Sequence, residues 1–158
     1  KTGNCLIKSE LLQLTGYPLK QLYRNLSKLP ATSITVILEA CFSGQSHSGH
    51  LSVRTSGISV DPKMPNVPDR LTVISAGAAN QVASWEQDES QSLFTKYFLK
   101  AMSGEGDRQP YGNGDGTVSL KELKRYLDKE MTYLARRYYG RDQNAQITVD
   151  GRQVHVTN

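Results

Sequence analysis

Cysteine is scarce in this 158-residue sequence, which has two, Cys5 and Cys41. They could form one bridge, but that density is far below that of a small disulfide scaffold, and at least one free thiol is expected. There is no Cys-x-x-Cys or His-x-x-x-His pair, and only His47, His50 and His155 could join the thiols, so no structural metal site and no cofactor are expected. No apolar run approaches the roughly 18 residues of a membrane span, so no membrane partner is expected. Charge of one sign is also missing. The net charge of +4 comes from scattered Lys and Arg rather than a basic tract, which gives no support to nucleic acid as a partner. Lys1-Thr-Gly-Asn4 offers neither an initiator Met nor a hydrophobic signal region, and the chain is expected to be a processed or partial one. No internal repeat is legible. What remains is a globular balance of 37% apolar and 22% charged residues, enough for one domain with a core.

The periodicity of apolar residues gives the elements. Pro18 suits a first helical turn, and Leu19, Leu22, Tyr23, Leu26 and Leu29 recur at helical spacing up to Pro30. Ile34-Thr-Val-Ile-Leu38 is short, β-branched and nearly continuous, the pattern of a strand buried on both faces in a parallel sheet. Ser, Gly, Pro and His then dominate from Phe42 to about Arg70, which reads as a long surface loop. Leu71-Thr-Val-Ile-Ser75 repeats the strand pattern, and residues 90–102 predict a helix. A longer helix starts at Ser119, where Ser119 and Glu122 fit a capping box. The tail, 146–156, alternates around Asp150-Gly151 and predicts a hairpin. Together these elements predict an α/β sandwich with a mostly parallel central sheet and helices on both faces.

Cys41 follows the first predicted strand in Glu39-Ala-Cys-Phe-Ser-Gly44, so it falls at the carboxyl edge of a buried sheet. Open α/β sheets tend to place their chemistry there. Position alone leaves two readings, a small buried hydrophobe or a reactive thiol. The segment resembles the Asp-x-Cys-x-Ser-Gly signature of metacaspases, paracaspases and bacterial caspase-like peptidases, with Glu39 for the usual Asp and Phe42 where metacaspases often have His. Ser75-Ala76, Ser84-Trp85-Glu86 and the stretch Ser92 to Thr95 before a helix look like the second half of a caspase-type domain. Gly114 to Leu123 resembles the closing region of the bacterial members, so the likeness spans nearly all of 1–158.

The resemblance implies a cysteine endopeptidase domain lacking its first strands, with Cys41 as nucleophile. Its partner would be a histidine in a His-Gly motif about 50 residues upstream, some ten residues before Lys1. His47, His50 and His155 are read as solvent-exposed rather than as that base. A thiol of pKa about 8.5 needs a neighbouring base or cation at neutral pH, so the chain by itself is expected to be nearly inactive. The missing N-terminal part of the domain is then an expected partner. A caspase Ser-Trp-Arg segment pairs its backbone with the substrate and holds an Asp through the Arg; here Ser84, Trp85 and Glu86 stand at that place. Glu39, two residues before Cys41, would share its face of the strand. Two carboxylates imply protein or peptide substrates with Arg or Lys before the cut. The other reading is a silent caspase-like domain used as a scaffold or regulator. Arg54, Lys63 and Arg70 are basic residues that self-processing could use.

Two further signals have plainer explanations. Asn113, Asp115, Gly116 and Glu122 partly match a calcium loop, but Tyr111 stands at its first position; a turn leading into the capping box accounts for the same residues. The basic and aromatic run from Tyr133 to Arg141 reads as a helix C-terminus with cations complementing its dipole.

Overall fold

The computed structural model describes residues 16–40, 45–46, 49–50, 64–88 and 90–156. Cys5, Cys41 and His47 lie outside the described residues, as does most of the expected 42–70 loop. Helix α1 spans Leu19–Leu26 and strand β1 spans Ile34–Leu38. Two two-residue strands, β2 (Gln45–Ser46) and β3 (Gly49–His50), pair with each other. There follow β4 (Leu71–Ser75), α2 (Leu93–Met102), a short 3-10 turn at Glu105–Asp107 and α3 (Leu120–Tyr139). A hairpin of β5 (Gln146–Val149) and β6 (Arg152–Gln153) closes the chain.

The main sheet has the order β1-β4-β5-β6. Strands β1 and β4 are parallel, with Ile34 opposite Leu71 and Leu38 opposite Ser75. The hairpin adds antiparallel to β4, with Ile74 opposite Ile147. Among the described residues the sheet is therefore mixed, with one parallel pairing where a mostly parallel sheet was expected. The hairpin itself was legible: Asp150 and Gly151 both take positive φ, at 46° and 74°, as the tightest two-residue turns require. Nothing in a hairpin's own pattern says which strand it will join.

Alternation along β4 divides the core between two faces. Leu71 and Val73 pack with Tyr23, Leu19, Leu22 and Leu26 of α1 and with Ile34, Val36 and Leu38 of β1. Ile74 and Ile147 face the other way, onto Leu93, Phe94 and Tyr97 of α2 and Leu123, Leu127 and Met131 of α3. Helices thus cover both faces, as the α/β class requires. Each fully buried Leu, Phe or Met contributes about 2 kcal/mol by leaving water, so this second cluster is the main stabilising unit. Strand β1 departs from its reading as doubly buried. It is an edge strand of the described sheet, α2 and α3 lie over β4 and β5, and Ile37 is 49% exposed.

Two helix ends differ from the periodicity. The first helix stops at Leu26, and Leu29, counted in its apolar stripe, is exposed beyond it. The second begins three residues later than expected, because the Ser92 side chain caps it by accepting from the Thr95 N–H at 3.0 Å. The capping box at α3 is present in both directions. No described helix is long and apolar enough to cross a membrane.

One buried group on the α1 side works against stability. Among the described residues the Tyr23 hydroxyl has no hydrogen-bond partner, and burial raises its pKa. Tyr23→Phe removes that desolvated donor and keeps the ring, so it should stabilise by about 1 kcal/mol and raise Tm by about 3 °C. A lower Tm in a thermal melt would show that the hydroxyl is satisfied.

The turn between α2 and α3 is built around a carboxylate. Asp107, 7% exposed, accepts from the N–H groups of Gly114 and Asp115 through Oδ1 and of Gly116 through Oδ2, at 2.8–3.1 Å. Gly112 passes so close that a Cβ there would lie 2.4 Å from the Asp107 Cα, which admits no side chain. Glu122 accepts from the Asn113 N–H and from Ser119. The residues that resemble a calcium loop thus have partners within the protein. Asp107→Asn trades an acceptor for a donor facing N–H groups and should cost about 2 kcal/mol in urea unfolding; an unchanged midpoint would mean the turn holds without the carboxylate.

Candidate functional site at the carboxyl edge of the sheet

Because β1 and β4 run parallel and in register, their carboxyl ends lie side by side, joined by the Ala76 N–H donating to the Leu38 carbonyl at 3.0 Å. Glu39 and Ala40 leave β1 at this edge and are exposed. Cys41 lies just past them, outside the described residues.

The first turn of α2 draws the other expected residues toward the same edge. Ser92, its cap, lies opposite Trp85 in an antiparallel bridge. Leu93 N–H donates to the Ser84 carbonyl and Glu86 N–H to the Gln91 carbonyl, both at 2.9 Å. Thr95 donates its hydroxyl to Glu39 Oε2. Its neighbour Lys96 forms an ion pair with Glu86 Oε1 at 2.8 Å. Consecutive residues of one helical turn therefore hold both acids, so Glu39 and Ser84-Trp85-Glu86 belong to one neighbourhood.

The two acids are not equivalent. Glu86 is 9% exposed and paired with Lys96, whose pKa the Glu86 carboxylate holds up against burial. It is neither solvated nor an open charge. Glu39 is exposed, accepts only a hydroxyl, and among the described residues no cation pairs with it. Among the described residues, the negative charge at this edge without a cation beside it is that of Glu39.

Backbone geometry singles out Trp85. Since Ser84 and Glu86 bond toward residues 91–93, the Trp85 N–H and C=O point the opposite way, as in the non-bonded position of an antiparallel pair. Its indole, the one tryptophan of the chain, is 39% exposed.

Three residues at the site were not expected there from the sequence. Gln143 is 0% exposed and clamps the segment from behind: its Oε1 accepts from the Ser84 N–H at 2.8 Å and its Nε2 donates to the Ala76 carbonyl at 3.0 Å. Tyr139, at the end of α3, donates its hydroxyl to the Trp85 carbonyl at 2.7 Å. The Arg141 guanidinium lies 5.0 Å from the Tyr139 ring centre and within 3.3–3.4 Å of the Ser84 hydroxyl. Gly140, with φ of 62°, ends the helix and turns Arg141 back over it. Within the basic and aromatic run, Tyr139 and Arg141 are thus engaged in the fold, Arg136 pairs with Asp142 at 2.5 Å, and Tyr133 is exposed. A lone Gln after a helix has no pattern that would reveal its role.

Arg70, expected as a processing residue, is tied down. Its guanidinium donates to the carbonyls of Ser27 and Ala31, and its N–H to Asp150. Arg54 and Lys63 lie outside the described residues. His155 is exposed after the terminal hairpin, and the His50 side chain lies outside the described residues.

Compared with known protein families, the chain matches the model described as Peptidase_C14, caspase domain, over residues 2–153. No curated protein and no solved structure matches it.

Proposed function

The chain belongs to the caspase-domain family of cysteine peptidases, whose substrates are proteins and peptides, and from that premise we propose that Cys41 is the nucleophile of an endopeptidase cutting after Arg or Lys. A histidine upstream of this chain takes the thiol proton and later protonates the leaving amine. The Cys41 backbone N–H helps to hold the tetrahedral oxyanion. The segment Ser84-Trp85-Glu86 receives the extended substrate backbone, and Glu39 holds the guanidinium or ammonium of the residue before the cut. Glu86, balanced by Lys96, adds less to that recognition than Glu39. The observation that carries the reading is the Glu39 carboxylate two residues before Cys41, exposed and without a cation among the described residues, near the outward-facing Trp85 backbone.

The test uses the natural full-length protein and reporter peptides ending in Arg, Lys or Asp. Hydrolysis after Arg or Lys that disappears in Cys41→Ala is expected, with the 1–158 chain alone close to inactive. A preference for Asp would remove the role given to Glu39. No hydrolysis of any reporter, with a substituted residue where the upstream His-Gly should stand, would favour a silent scaffold instead.

A further inference from the structure

We propose that Asn113-Gly114 is a latent deamidation site, kept closed by the buried Asp107 carboxylate while the turn between α2 and α3 is folded. An asparagine followed by glycine is the pair most open to this chemistry, because glycine has no side chain to hinder attack by its own backbone nitrogen. The Gly114 nitrogen loses its proton and bonds to the Asn113 Cγ, the Cγ–Nδ2 bond breaks, and ammonia leaves. Water then opens the cyclic imide to aspartate or to isoaspartate. Exposure alone would favour the reaction, since Asn113 and Gly114 both face solvent.

The hydrogen bonds oppose it at each reacting group. The Gly114 N–H donates to two oxygens of Asp107, the backbone carbonyl at 2.8 Å and the carboxylate Oδ1 at 2.9 Å. Removing that proton would leave a nitrogen anion facing a carboxylate, which like-charge repulsion disfavours. The Asn113 amide is held as well: its Oδ1 accepts from the Asp115 N–H at 3.0 Å, and its Nδ2 donates to Asp115 Oδ2 at 2.9 Å. On the other side, the Asn113 N–H donates to Glu122 Oε1 at 3.0 Å. Asp107 and Glu122 are each 7% exposed, so both peptide units flanking Asn113 are tied to groups rooted in the fold. The nitrogen is therefore free to attack only when the turn opens locally. Reclosing is then disfavoured, because a carboxylate at position 113 would face Asp115 where an amide now donates to it.

The natural full-length protein is held at neutral pH well below its Tm, and residue 113 is followed by peptide mapping for the amide-to-acid mass gain and for isoaspartate. Conversion should run at least about tenfold slower than in a synthetic 111–117 peptide in the same buffer. Asp107→Ala, or the milder Asp107→Asn, should recover most of that difference; a thermal melt confirms that each variant folds. Gln143→Leu destabilises the protein through the Ser84 and Ala76 bonds but leaves those of the turn in place, so its residue 113 should convert at the parental rate. A parent that converts as fast as the peptide overturns the proposal. So does equal acceleration by the Asp107 and Gln143 variants, which would put the control in global unfolding. Slower conversion in Asp107→Ala than in the parent would make the carboxylate a base for the reaction, and overturns it too. The peptidase reading stands or falls separately, since no residue of this turn takes part in it.

Discussion

Glu39→Gln is expected to lower kcat/KM for arginyl reporters about a hundredfold in the natural protein while leaving the fold unchanged. Removing one member of a desolvated charge pair costs roughly 2–5 kcal/mol, and about 2.7 kcal/mol is a factor of a hundred. Glutamine keeps the shape and can still accept the Thr95 hydroxyl, so the loss isolates the charge. Glu86 cannot take over the role, because it is nearly buried and already paired with Lys96. Thr95→Val should cost less, about fivefold, since it frees the carboxylate to wander without neutralising it. Glu39→Arg should go further and shift the preference toward acidic residues before the cut. Kinetics of Glu39→Gln indistinguishable from the parent would mean that another group recognises the basic side chain.

Gln143→Leu has the largest expected effect on stability, a loss of about 4 kcal/mol, or about 10 °C in Tm. Leucine approximates the volume but offers neither donor nor acceptor. The buried Ser84 N–H and the Ala76 carbonyl would each lose its partner, at roughly 1–3 kcal/mol apiece. The change should reach function as well, because the same bonds fix the strand that carries Trp85. A shifted Trp85 emission and a raised KM should accompany the lower urea midpoint. A loss below about 1 kcal/mol would mean that water replaces the amide, which would place this clamp closer to solvent than the geometry implies.

The extent to which the fold was legible follows from the range of each signal. Local devices were readable at the residue: the Ser119 and Glu122 capping box, the Asp150-Gly151 turn and the doubly buried pattern of β4 each depend on neighbours a few positions away. Errors arose where a distant element decided the outcome. Ile37 has the composition of a core residue and is half exposed, because coverage of β1 depends on where α2 and α3 lie. Residues 90–92 fit a helix by period, yet Ser92 is a cap and the segment pairs with Trp85.

The candidate site divides in the same way. Residue types and order around Cys41, together with the family match across 2–153, were sufficient to recognise a caspase-type cysteine peptidase, since the chemistry needs those groups in that order along the chain. Charge and backbone availability are properties of space, and only the tertiary structure decided them. Glu39 and Glu86 read alike in the sequence, but the first turn of α2 gives one a hydroxyl and the other an ammonium. Gln143 and Tyr139, more than fifty residues from the segment they touch, show no motif that points to it. A side chain's role there is set by what the folded sheet brings within 3 Å of it, and sequence spacing does not encode that distance.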